Sequence, residues 1–127
     1  MKVYIAAPWK HKETAKKVKA QVEAAGDEVI SRWIDFEVDP NTQYDYPDQV
    51  MEEESRKDVE DILNADEVLY LNLEKSEGKA TELGMALMRN IPVFVVGGKQ
   101  NNVFLHLGED YGVYHLESVE DFIEQGR

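Results

Sequence analysis

The run Glu67-Val68-Leu69-Tyr70-Leu71-Asn72-Leu73, followed by Ser76-Glu77-Gly78-Lys79-Ala80-Thr81-Glu82-Leu83-Gly84-Met85-Ala86-Leu87 and then Ile91-Pro92-Val93-Phe94-Val95-Val96, decides the fold of this 127-residue chain. Two apolar β-type runs flank a segment whose apolar side chains, Ala80, Leu83, Ala86 and Leu87, recur with the helical period. Strand, helix and strand in that order predict a right-handed crossover within a parallel sheet. The helix opens at the carboxyl end of a strand, where open α/β sheets bind ligands. Glu82 falls within its first turn and a half, near the positive helix end, which favours an ionised carboxylate. Spacing alone would leave it an ordinary surface glutamate.

The rest of the chain repeats the pattern. Residues 2–7 form a nearly continuous apolar run of the buried parallel-strand kind, stopped by Pro8. After the loop Trp9-Lys10-His11-Lys12, a helix is expected over 13–25, with Ala15, Val18, Val22 and Ala25 on one face and Gly26 as its stop. A second strand is expected over 28–34 and a long polar excursion over 35–46. Pro47 suits the first turn of a helix over 48–64, whose apolar face is Met51, Val59, Ile62 and Leu63. A turn-rich loop (97–102), a short strand (113–116) and a helix over 118–125, with Ser118 as N-cap, complete the chain. The expectation is α/β: one doubly wound domain over 1–127 around a five-stranded parallel sheet.

Composition narrows the function. No run approaches the ~20 apolar residues that span a bilayer, and the N-terminus reads as a strand rather than a secretory signal. There is no cysteine, so thiolate chemistry and Cys-ligated zinc are excluded, and a cytoplasmic setting is expected. The net charge of −12 argues against nucleic-acid or membrane partners. Six of the fourteen basic residues nevertheless lie in the first twenty positions, as a solvated helix face or a local attraction for a small anion. Glycine-rich nucleotide fingerprints, a Walker motif and a serine-hydrolase elbow are missing. His11, His106 and His115 have no ligand spacing, so neither a metal nor a cofactor is expected.

What remains is a carboxylate pair with a tyrosine. Asp58 lies about 40° around the helical wheel from Ile62 and so flanks the buried face, whereas Asp61 points well away, toward solvent. Such a carboxylate needs a partner, Arg56 or Lys57, or a function. Tyr4, in the first strand, is a core residue or a hydroxyl donor. Trp9 is a rim residue or a stacking platform, and Ser76 a helix N-cap or a ligand for phosphate or a sugar hydroxyl.

These motifs together resemble the nucleoside 2-deoxyribosyltransferase family, which includes the 2′-deoxynucleoside 5′-monophosphate N-glycosidases. The resemblance is carried by Val3-Tyr4-Ile5-Ala6-Ala7-Pro8-Trp9, by Asp58-Val59-Glu60-Asp61-Ile62-Leu63-Asn64-Ala65-Asp66 and by Ser76-x-Gly78-x-x-x-Glu82-Leu83-Gly84. It runs in order to about Gly97 and implies a flavodoxin-like fold. It also implies that Glu82 attacks C1′ of a 2-deoxyribosyl group, that Asp58 protonates the departing base, and that Tyr4 orients Glu82. Trp9, Lys10, Ser76, Gly78 and Asn102 would bind substrate, with Asn102 matching an asparagine contributed by a neighbouring subunit in a homo-oligomer. A serine at 76 looks like the glycosidases, where it helps hold a 5′-phosphate and where an arginine stands in place of Lys10; Trp9 looks like the transferases.

The leading expectation is sugar transfer between nucleobases through a Glu82 adduct. Its alternative is hydrolysis of deoxynucleoside 5′-monophosphates by the same residues. A distant third is a non-catalytic FMN or receiver domain. Ala6-Ala7 and Leu73 lack the acids of a receiver, and Pro8-Trp9-Lys10-His11 lacks the hydroxyls of an FMN loop.

Overall fold

The computed structural model describes residues 1–37 and 46–125. Five strands, β1 (Lys2–Ala6), β2 (Glu28–Val29), β3 (Glu67–Leu71), β4 (Val93–Val96) and β5 (Val113–Leu116), form one all-parallel sheet in the order β2-β1-β3-β4-β5. This is the flavodoxin-like order, with its switch point between β1 and β3. Those two central strands pair from Val3 with Glu67 to Ala6 with Tyr70, and their side chains are almost wholly buried. The helices are α1 (Lys12–Ala24), α2 (Asp48–Leu63), α3 (Glu77–Met88) and α4 (Val119–Glu124). α1 and α4 approach each other at Gln21 and Glu120, while α2 packs beside α3. The β4–β5 connection carries only two 3-10 turns, Val103–His106 and Glu109–Tyr111, instead of an α-helix. No helix among the described residues is long and apolar enough to cross a membrane.

The second strand is shorter than the sequence predicts. Beyond Val29 the ladder gives way to side chains: Ser31 Oγ accepts from the Ile5 N–H at 3.1 Å and Trp33 Nε1 donates to the Ile5 carbonyl at 2.8 Å. Both backbone groups of Ile5 are thus satisfied without a partner strand, and the chain turns into a 3-10 segment, Arg32–Asp35.

Helix α2 departs further from the reading of its apolar face. Ile62 is fully buried, but Val59 and Leu63 are 40% and 45% exposed, while Glu54 and Asp61 are buried. Asp61 does not point to solvent. It accepts from the Arg32 backbone N–H (2.9 Å) and Nε (2.9 Å), so the 3-10 turn, absent from the helical-wheel argument, supplies its partner. Glu54, Asp58 and Asp61 follow i, i+4, i+7 spacing and form one acidic stripe turned inward. The 35–46 excursion lies mainly outside the described residues, and with it the question of whether it covers the site.

Candidate active site

The carboxyl ends of β1 and β3 open onto a cavity of about 160 Å³ whose walls include Trp9, Glu54, Asp58, Ser76, Lys79 and Glu82. Three elements place its polar groups. α3 starts where β3 stops: Ser76 is its N-cap, accepting the Lys79 N–H at 3.3 Å, and Glu82 follows on the buried side. α2 brings Asp58 to the lining, and β1 holds Tyr4 fully buried, outside the lining but in contact with Glu82. The Tyr4 hydroxyl donates to Glu82 Oε2. Burial, then the charges of Glu82 and Asp58, raise the Tyr4 pKa well above the usual phenol range, so the hydroxyl stays a donor.

Burial decides the state of both carboxyls. It pushes Glu82 up to about 8, helped by Asp58 and opposed by the Tyr4 hydrogen bond and by Lys79. The helix N-terminus, which favours an ionised Glu82, meets a stronger opposing effect: in the closed interior, desolvation outweighs it. Burial likewise pushes Asp58 up to about 7, with Asp61 and Glu54 adding to the rise and Arg32 and Lys12 opposing it. Asp58 Oδ1 is buried with no hydrogen-bond partner among the described residues. Neither suggested partner engages it, for Arg56 pairs with Glu52 and Lys57 with Glu54.

Sequence reasoning overlooked Lys79, a lysine only 1% exposed. Its ammonium donates to Asn72 Oδ1 (3.1 Å) and to the Glu74 carbonyl (2.6 Å) and lies over the Tyr70 ring. Asn72 in turn donates to the Gly98 and Gln100 carbonyls, so Lys79 ties α3 to the ends of β3 and of the loop after β4. Gly97, at φ +113°, passes so close to Asn72 that a Cβ would sit 2.9 Å from its carbonyl oxygen. Lys79→Met is expected to cost about 1–3 kcal/mol, read as a lower urea midpoint, because buried acceptors lose their donor. It also removes a charge that lowers the Glu82 pKa, so the acid limb of activity should move to higher pH.

The other expected site residues divide into three groups. Gly78 lines the cavity with Ser76, and Trp9 forms its aromatic wall, tilted against Phe36 at 6.2 Å. Lys10 is drawn aside, 3.4 Å from Glu74. Asn102 lies apart from the Glu82 cavity: it borders an adjacent depression with Ser76, Lys79 and Tyr70, and its Oδ1 caps the 3-10 turn by accepting the Phe104 N–H at 2.9 Å.

The profile of the nucleoside 2-deoxyribosyltransferase family matches residues 3–122. The chain belongs to that family. The match spans all three motifs, and the fold agrees with solved relatives. The 2-deoxyribosyltransferase of Bacillus psychrosaccharolyticus superposes with a TM-score of 0.72 at 22% identity, over 98% of this chain and 91% of that one. The CMP N-glycosidase BcmB of Clostridium botulinum gives 0.64 at 19% identity, over 98% and 97%. A conserved protein of Enterococcus faecalis V583 gives 0.68 at 18%, over 98% and 96%. At these identities the likeness concerns the fold alone. No curated relative matches the chain.

Proposed function

We propose that this family member is a nucleoside 2-deoxyribosyltransferase, and the observation that carries the reading is that Glu82, held by the Tyr4 hydroxyl, lines one cavity together with Asp58. The Glu82 carboxylate attacks C1′, the C1′–N bond breaks, and its electron pair leaves with the base, whose nitrogen takes the proton of Asp58. A second base then attacks C1′, Glu82 departs as carboxylate, and Asp58 recovers the acceptor's proton. Two carboxyls of opposite protonation flanking one anomeric carbon are what a retaining displacement requires. Trp9 offers a face for the base and Ser76 a hydroxyl for the far end of the sugar.

The cavity is smaller than the roughly 300–1,000 Å³ usual for small-molecule sites. The reading therefore includes a homo-oligomer whose neighbouring subunit completes it. An apolar groove beside α3, bordered by Leu87, Met88, Phe104 and Tyr111 and reaching Asn102, supports that assembly.

Incubation with a deoxynucleoside and a different free base tests the reading, with chromatography of products and light scattering for subunit number. The expected product is the new deoxynucleoside. Release of free 2-deoxyribose irrespective of acceptor would instead establish hydrolysis by the same residues.

A further inference from the structure

The two tryptophans in the wall of the Glu82 cavity come from separate 3-10 turns, Trp9 from Trp9–His11 after β1 and Trp33 from Arg32–Asp35 after β2. Lys12, the first residue of α1, joins them from outside the lining. Its backbone N–H donates to the Trp9 carbonyl, and its ammonium donates to the Trp33 carbonyl at 3.0 Å and to that of Phe36. The same ammonium lies over three rings, 5.9 Å from the centroid of Trp9 and 5.7 Å from those of Trp33 and Phe36. Lys12 is only 7% exposed. A lysine is rarely buried so far; here two carbonyls and three aromatic faces stand in for the water it gives up. Aromatic cages of this kind receive cationic ligands in other proteins. In this fold the chain fills the cage with its own side chain.

We propose that Lys12 is a positioning residue that locks Trp9 and Trp33 into one preformed aromatic wall for the nucleobase. This role rests on the glycosyl-transfer reading above, in which the base lies against Trp9. Trp33 is held independently by its bond to the Ile5 carbonyl, so it is the fixed half of the wall, and Lys12 refers the Trp9 turn to it. A wall set before substrate arrives spares the ordering cost that binding otherwise carries. The base stacks on it before and during bond breaking alike, so loss of the wall should weaken binding without slowing the chemical step. Lys19 provides the comparison. Its ammonium pairs with Asp35 at 3.0 Å and ties α1 to the same turn as Trp33, through a carboxylate rather than through the rings.

The test compares kcat and KM for base exchange with the best donor among the common 2′-deoxynucleosides, in the wild type and in Lys12→Met, Lys12→Gln, Lys12→Arg and Lys19→Met. The Lys12 charge also opposes the rise of the Asp58 pKa, so each variant is read at its own pH optimum. Calorimetry with the same deoxynucleoside in the Glu82→Gln background gives Kd without turnover. Lys12→Met and Lys12→Gln should raise KM and Kd about tenfold with kcat within about twofold of wild type, the signature of lost uniform binding. Lys12→Gln keeps a donor for the carbonyls and carries the test if Lys12→Met does not fold. Lys12→Arg, still a cation with donors, should recover most of the affinity, and Lys19→Met should leave both constants near wild type. Unchanged KM and Kd in Lys12→Gln, a loss confined to kcat, or an equal rise in Lys19→Met would overturn the proposal. A wild type that exchanges no base would overturn the glycosyl-transfer reading. The calorimetric arm would then decide the positioning role alone, with weaker binding in the Lys12 variants upholding it and equal or absent binding overturning it.

Discussion

Glu82→Gln is expected to lower base exchange by about three orders of magnitude or more, because removing a nucleophile cancels the whole covalent route. The same substitution should stabilise the protein above neutral pH. The Glu82 carboxyl is raised from its ordinary 4.5 to about 8 in the fold. A group raised in this way favours folding fully below its unfolded value and loses that contribution as pH climbs through its folded value. Glutamine never ionises and still accepts from Tyr4, so the variant escapes the loss. A gain of about 1–3 kcal/mol is expected by pH 8.5, shrinking toward pH 5, a stability cost of the kind that active sites impose. Thermal melts at the two pH values measure it, and mass spectrometry should find no sugar adduct on the variant. Wild-type activity in Glu82→Gln would sink the covalent mechanism.

Asp58→Asn is expected to reduce the rate by about 10²–10⁴-fold, the range for a general acid. The loss should be largest for donors whose departing base most needs a proton and smallest for good leaving groups. Wild-type kcat/KM should trace a bell against pH with its limbs near neutrality, since burial pushes Asp58 to about 7 and Glu82 to about 8. With these values the pair's last proton rests mainly on Glu82 in the free protein, and the productive form, which carries it on Asp58, is a minority arrangement reached by proton exchange between the two carboxyls, so the limbs belong to the pair rather than to either residue. In Asp58→Asn the alkaline limb should vanish. A uniform loss across leaving groups with an unchanged profile would leave Asp58 a purely structural residue.

The β3–α3–β4 unit was legible in the sequence because both periods, strand and helix, are strong there and Ser76 is a local cap. The edge was less so. A ladder replaced by the side chains of Ser31 and Trp33 leaves no periodic trace, since it depends on where β1 lies. Asp61 was misread for a related reason: a helical wheel knows one buried face, whereas α2 also meets the Arg32 turn. The acidic spacing of Glu54, Asp58 and Asp61 was the available signal. Lys79 escaped notice because a lysine on a helix is usually solvated, and only the converging acceptors of Asn72 and Glu74 make its burial tolerable. The protonation of Glu82 depends on the depth of its enclosure, which helix polarity does not convey.

The chain has two tryptophans, and both stand in the wall of the Glu82 cavity. Trp33 is pinned to the Ile5 carbonyl, while Trp9 sits on the loop that leads toward Lys10. Excited selectively, away from the absorption of the six tyrosines, tryptophan emission from this protein therefore arises entirely at the place where substrate is proposed to bind. Nucleobases stacking there would quench it without any added label, and a Trp9→Phe variant would leave Trp33 as a single-site optical reporter of occupancy.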